Sequence, residues 1–189
     1  MARYIALEGI DGSGKSEVAK RLSQMMPNSV TTKEPTDRLA KVIMENTSTM
    51  GDALLFAADR AIAMEDVKGW MGEGKSVITD RTFYSNMAYQ GAALKEHFGG
   101  LDKAFQWIHQ CNQPFLIEPD IVLLLDLPVE TALGRVNNRG KKTRFEMHDY
   151  LETVRDAYLK LAEKHSFEII DATKTLEEVV RQCAEKIGI

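Results

Sequence analysis

The chain has 189 residues, 44% of them hydrophobic and 28% charged, with a formal net charge of −4 at neutral pH. That length supports one domain with a full core, and the balance is that of a soluble globule. The charge gives no electrostatic basis for nucleic-acid binding, no apolar run reaches membrane-spanning length and the N-terminus lacks a signal-peptide layout, so the expectation is a cytoplasmic protein with neither nucleic acid nor membrane as partner.

In chain order, Tyr4-Ile5-Ala6-Leu7 is a short apolar run that predicts a strand. Gly9-Ile10-Asp11-Gly12-Ser13-Gly14-Lys15-Ser16 follows and fits G-x-x-x-x-G-K-[ST]. In this pattern the glycines let backbone N–H groups turn inward toward phosphate oxygens. Lys15 supplies a point charge for the β/γ-phosphates, and the Ser16 hydroxyl is a candidate Mg2+ ligand. Glu17 to Met26 carries Val18, Ala19, Leu22, Met25 and Met26 at helical spacing, so the helix dipole also points at the anion. Strand, loop, helix is the order an ATP-binding loop requires, and Gly9 through Ser16 are its candidate ligands. Asp11 has no use for its charge in binding ATP, which marks it for another role.

Val30 to Lys33 predicts a second strand, ended by Glu34-Pro35. Asp37 is a candidate cap for a helix from Arg38 to about Glu45, and Asp52 for a longer one to about Met71. Ser76 to Thr79 predicts a strand, and Tyr84 to Phe98 and Leu101 to Cys111 predict two helices around Gly99-Gly100. Ile121 to Leu125 is apolar throughout, as a parallel strand covered on both faces should be. Val129 to Val136 and Tyr150 to Lys164 predict helices, Phe167 to Ile170 a last strand, and Leu176 to Ile187 a last helix. Five strands alternating with helices imply an α/β fold, a doubly wound five-stranded parallel sheet with helices on both faces. Cys111 and Cys183 have no metal-ligand spacing and read as buried free thiols.

Several residues group by spacing. Phe56 and Arg60 are four apart on one predicted helix and share a face. A ring with a cationic donor suits a base, although Phe56 reads equally well as a core aromatic. Asn86 and Tyr89 are three apart on a later helix, and an amide offers both donor and acceptor to a pyrimidine edge. Asp80-Arg81 ends a strand whose carboxyl end should face the phosphates. Arg139-Gly140-Lys141-Lys142-Thr143-Arg144 is strongly basic, which fits a solvated loop or a lid over a transferred phosphoryl group. The chain has no Asn-Lys-x-Asp, so the usual guanine-reading element of a GTPase switch is missing.

The order of these motifs resembles the thymidylate kinase family, one of the P-loop nucleoside-monophosphate kinases. The P-loop is preceded by Leu7-Glu8. Leu55-Phe56-Ala57-Ala58-Asp59-Arg60 is similar to that family's Phe-Ala-x-Asp-Arg helix. Asp80-Arg81, Tyr84-Ser85-Asn86 and Ala88-Tyr89-Gln90-Gly91 resemble its Asp-Arg-Tyr-x-x-Ser-x-x-Ala-Tyr-Gln-Gly signature. Pro119-Asp120 and Asp126-Leu127-Pro128, Arg139-Gly140 with Arg144-Phe145-Glu146, and Val154-Arg155 through Ala162 complete the match.

The resemblance implies ATP-dependent phosphorylation of dTMP to dTDP with Mg2+, by a homodimer. It implies that Phe56 stacks on the base and Arg60 donates near its O4. Asn86 then reads the N3 edge with Gln90 beside it, and Tyr89 fills the place of a 2′-hydroxyl. Arg81 binds the acceptor phosphate with Asp11 near the sugar, Arg38 is a second candidate for that phosphate, and Lys15, Arg81 and Arg144 carry catalysis, with Arg139 toward ATP. Another pyrimidine deoxynucleotide or nucleoside kinase, and a non-catalytic ATP-binding regulator, are the alternatives.

The chain departs from the family in places. Glu17 replaces a hydroxyl residue after Lys15-Ser16, Lys33-Glu34-Pro35-Thr36-Asp37-Arg38 lacks the usual glycine pair, and Gly12 stands where some members carry an arginine. The last leaves transition-state charge to be met from the lid.

Overall fold

The computed structural model describes residues 1–45, 48–137 and 148–189. The predicted lid residues Arg139, Lys141, Lys142, Thr143 and Arg144 lie outside the described residues.

Five strands, β1 (Tyr4–Glu8), β2 (Ser29–Lys33), β3 (Ser76–Asp80), β4 (Ile121–Asp126) and β5 (Glu168–Asp171), form one parallel sheet in the order β2-β3-β1-β4-β5. The register pairs Leu7 with Asp80 on one side and Glu8 with Leu124 on the other. The three central strands are covered on both faces; Ile5, Leu7, Ile78, Leu123 and Leu125 have no exposed surface. Around the sheet run α1 (Lys15–Met25), α2 (Ala40–Glu45), α3 (Thr49–Gly72), α4 (Phe83–Phe98), α5 (Leu101–Asn112), α6 (Val129–Asn137), α7 (His148–His165) and α8 (Leu176–Ile187). α1 packs with α8, while α3, α4, α5 and α7 pack with one another, so two helical layers enclose the sheet. Because the strands are parallel, Glu8, Lys33, Asp80, Asp126 and Asp171 all end at one edge, where a doubly wound sheet holds its ligand.

The expected elements are all present, but several starts differ. α3 is capped by Ser48, whose hydroxyl accepts the Gly51 N–H at 3.1 Å. Asp52 instead lies within the first turn of the helix and is buried, where a carboxylate suits the helix dipole. α2 begins at Ala40, two residues after the expected start. Asp37 pairs with Lys33 at 2.8 Å, and the Thr36 carbonyl accepts the Ala40 N–H. α1 begins at Lys15, because Gly14 at φ +94° turns the chain directly into the helix.

Candidate active site

The loop after β1 is held by close backbone packing. Gly12 has φ +89°, and a Cβ there would sit 2.4 Å from the Ala132 carbonyl oxygen on α6. A side chain there would force the loop or α6 to shift, so the loop as packed takes glycine. Arg135, one turn along α6, donates to the Ala172 carbonyl at 2.9 Å and approaches the Gly12 carbonyl at 3.5 Å. It borders a cleft with Gly12, Gly14, Ala172 and Lys174, beside the P-loop.

Lys15 is buried. Its ammonium donates to the carbonyls of Gly9 and Ile10 at 3.0 and 2.9 Å and to Ser13 Oγ at 3.2 Å. Burial, helped by the nearby Arg81 charge, pulls its pKa down to about 8 against the opposing pull of Asp80 and Asp11. The Ser16 hydroxyl donates to Asp80 Oδ2 at 2.5 Å. Asp80 Oδ1 is buried and accepts no hydrogen bond among the described residues. An all-oxygen pair with an unsatisfied carboxylate atom suits a hard divalent cation.

Next to the loop stands Arg81, at φ +81°. A non-glycine residue pays strain there, and both its backbone groups are pinned: its N–H donates to Leu7 O at 2.9 Å and its C=O accepts from Thr79 Oγ1 at 2.8 Å. The guanidinium is fixed by four groups. Nη2 donates to Asp11 Oδ1 at 2.6 Å and toward the Tyr89 hydroxyl at 3.4 Å, and Nη1 to Ser85 Oγ at 3.0 Å and toward the Tyr158 hydroxyl at 3.4 Å. Burial opposes its charge, but Tyr89 and Asp11 beside it raise its pKa well above the ordinary value. Burial likewise pushes Asp11 up, and the Arg81 and Lys15 charges outweigh it and hold the carboxyl below the usual range.

Behind this pair is Glu8, fully buried at the end of β1. It accepts from Thr82 N–H at 2.8 Å, Thr82 Oγ1 at 2.7 Å, Ser85 Oγ at 2.6 Å and Tyr158 OH at 2.9 Å. Two of those donors are the groups that hold Arg81 Nη1. Glu8 thus fixes the guanidinium through Ser85 and Tyr158, while burial pushes its own pKa up.

A cavity opens beside this network, lined by Asp11, Glu34, Pro35, Met44, Phe56, Arg60, Arg81, Ser85, Asn86, Tyr89 and Gln90. Asp11, Arg81, Glu34 and Pro35 also border the cleft that contains Gly12, Gly14, Lys15, Ser16 and Asp80. The two spaces therefore meet at the Asp11–Arg81 pair. Asn86 Nδ2 donates to Gln90 Oε1 at 3.0 Å, and its Oδ1 is buried with no hydrogen-bond partner among the described residues. Such an atom in a cavity wall calls for a donor from a ligand. The Tyr89 hydroxyl accepts the Asp11 N–H at 2.9 Å, so the tyrosine ties the cavity floor to the P-loop.

These observations describe a phosphate-binding loop facing a second pocket across a charged junction. The thymidylate kinase family model matches residues 7–183. The chain belongs to the thymidylate kinase family. It is 38% identical to a probable thymidylate kinase of Methanococcoides burtonii, over 98% of this chain and 96% of that one. It is 41% identical to one of Thermococcus kodakarensis, over 95% and 94%. A solved thymidylate kinase from Candida albicans superposes with a TM-score of 0.83 at 28% identity, covering 99% of this chain and 91% of that one. The protein is thus a nucleotide-binding phosphotransferase with a P-loop nucleoside-monophosphate kinase fold.

Within this thymidylate kinase framework, Asp11, Phe56, Arg60, Arg81, Asn86, Tyr89 and Gln90 come together around one cavity. Arg38 does not join them. It pairs with Asp66 at 2.7 Å and borders another groove with Lys20, Lys33 and Asp37, which reaches Ser16 and Asp80 beside the P-loop. Glu17 is exposed and sits on the rims of both P-loop clefts. Sequence reasoning had no role for Glu34, Asn112 or Arg135, and knew Glu8, Ser85 and Tyr158 only as matches to motifs. A carboxylate ending a fully apolar strand, as Glu8 does, is the one local signal among them.

Proposed function

We propose that the protein transfers the γ-phosphoryl group of ATP to dTMP, giving ADP and dTDP. The observation that carries this is the cavity itself. It holds a half-buried aromatic, Phe56, and an unsatisfied amide oxygen, Asn86 Oδ1, and opens at Asp11–Arg81 onto the P-loop. A pyrimidine stacks on the ring, its N3–H donates to the amide oxygen, and its 4-oxo group faces Arg60. Tyr89 occupies the floor beside the sugar and leaves no room for a 2′-hydroxyl.

The acceptor phosphate reaches Arg81, whose guanidinium is already oriented by Asp11, Ser85 and Tyr158. An acceptor-phosphate oxygen attacks the γ-phosphorus in line, and the bond to the β-bridging oxygen breaks. Lys15 exchanges its three internal acceptors for β- and γ-phosphate oxygens, and gains full charge as it does so. Ser16 and Asp80 supply the donors for Mg2+, which when bound shields the phosphate charge. Arg144 and Arg139, outside the described residues, bring the lid's charge, Arg144 to the transferred group.

The protein works as a homodimer in the cytoplasm. Supporting the dimer, Leu54, Ala58 and Ile62 recur every fourth residue on α3 and are exposed, Leu54 by 49% and Ile62 by 44%. Light scattering on the wild type and on Leu54→Glu tests this face. Cys111 and Cys183 are free thiols, in keeping with a reducing compartment. No helix among the described residues is long and apolar enough to cross a membrane. A coupled ADP-release assay with dTMP as acceptor tests the activity, and ADP formation that does not depend on any acceptor contradicts it.

A further inference from the structure

Arg60 is an unusual wall for a ligand cavity. It lines the pocket, yet its side chain is 1% exposed and most of its donors are already engaged. Nε donates to both Glu34 oxygens, at 2.9 and 3.1 Å, and Nη2 donates to Glu34 Oε2. That pairing takes one edge of the planar fork. Nη1 donates to Asn112 Oδ1 at 2.5 Å. Glu34 comes from the loop after β2, and Asn112 is the last residue of α5, so two distant elements grip one guanidinium.

Asn112 has no exposed surface, and its orientation is unambiguous. Its Nδ2 donates to the Ile108 carbonyl at 2.7 Å, one helical turn back. A carbonyl only accepts and a guanidinium only donates, so the amide must turn its oxygen to Arg60 and its nitrogen to Ile108. The helix end therefore fixes the amide, and the amide fixes the guanidinium. Glu34 alone leaves the arginine free to pivot about the paired edge. A second acceptor on Nη1 removes that freedom. A guanidinium has five N–H donors, and after Glu34 and Asn112 two remain, one on each terminal nitrogen.

We propose that Asn112 is a positioning residue for base selection, holding Arg60 so that its remaining N–H groups meet the 4-oxo group of the pyrimidine. This rests on the reading of the cavity as the dTMP site. Asn112 touches no substrate; it acts through Arg60.

The test compares wild type, Asn112→Leu and Asn112→Asp with dTMP and with 5-methyl-dCMP, which carries a 4-amino group in place of the 4-oxo group and an N3 without hydrogen. Asn86, which meets N3, is the same in every variant, so a change in preference between variants reports on Arg60. In Asn112→Leu the KM for dTMP rises roughly ten-fold, kcat stays within about two-fold, and the preference for dTMP over 5-methyl-dCMP falls by roughly ten-fold. Asn112→Asp keeps an acceptor for Nη1, so it retains most of the preference although it loses the bond to Ile108 and melts at lower temperature. A packing role gives the opposite order, since buried leucine is milder than buried aspartate. If Asn112→Leu does not fold, Asn112→Ala takes its place with the same expectation. A wild type that phosphorylates dTMP with unchanged KM and selectivity in the Leu or Ala variant overturns the role of Asn112 alone. A wild type that does not phosphorylate dTMP overturns this inference together with the reading of the cavity.

Discussion

Before ATP arrives, Lys15 is a buried cation with a pKa of about 8 and only neutral acceptors in contact. A triphosphate adds several negative charges at that place and restores the ordinary preference for the charged form. The sign follows. In the free protein about a tenth of Lys15 is uncharged at pH 7, about half at pH 8 and about nine-tenths at pH 9, given a pKa of about 8. Binding ATP should therefore take up about 0.1 proton at pH 7, about 0.5 at pH 8 and about 0.9 at pH 9. Above pH 8 the apparent affinity for ATP should fall by about ten-fold per pH unit, because each binding event must first charge the lysine. The same depression opposes folding. The unfolded lysine holds its proton up to about 10.4, so this group's contribution to stability rises as pH rises through the window from about 8 to that value.

The assay is calorimetric titration of ATP at the three pH values, each in two buffers of different ionisation heat. The heat difference between buffers counts the protons. Lys15→Met, which cannot titrate, should bind ATP more weakly and show no such uptake. Proton uptake near zero from pH 7 to 9 in the wild type, or equal uptake in Lys15→Met, would refute the account of a lysine discharged by burial.

Four further variants carry predictions, the first three from the geometry and the last from the basic run of the sequence. Tyr89→Phe should lose about 1–2 kcal/mol of stability in urea unfolding, because the Asp11 N–H loses its acceptor, yet keep its preference for dTMP over ribo-TMP. Tyr89→Ala should narrow that preference, and if both variants discriminate like wild type the ring has no part in sugar choice. Gly12→Ala should cost about 2–4 kcal/mol, from a strained positive φ and a Cβ 2.4 Å from the Ala132 oxygen; an unchanged denaturation midpoint contradicts it. Arg144→Ala should lower kcat by about a thousand-fold with a modest change in the KM for dTMP, and a wild-type kcat would remove the lid arginine from the transition state.

The sequence carries the fold well where physics is local. Ile121 to Leu125 reads as a covered parallel strand because no solvent face interrupts it, and the P-loop is contiguous, so its chemistry is visible at once. Helix starts were less legible. Asp52 looks like a cap, but Ser48 reaches the Gly51 N–H first, and the choice depends on the path of the preceding chain. The supporting residues of the site were hidden for a different reason. Glu8 meets Ser85 and Tyr158 across 77 and 150 positions of sequence, and nothing near Glu8 announces either partner. Arg60 reads as a ligand-facing donor, while its pairing with Glu34 and Asn112 exists only once β2, α3 and α5 have packed. Arg38 reads as a phosphate contact, and its pairing with Asp66 on α3, outside the cavity, exists only once the two segments have packed.

The central claim is that the cavity beside Arg81 selects a 4-oxo pyrimidine deoxynucleotide and presents its phosphate to ATP. Steady-state ADP release with dTMP, dCMP, dAMP, dGMP and ribo-TMP as acceptors, at saturating ATP and Mg2+, tests it most directly. The account predicts kcat/KM for dTMP well above all the others. A purine monophosphate turned over at a comparable rate would contradict it.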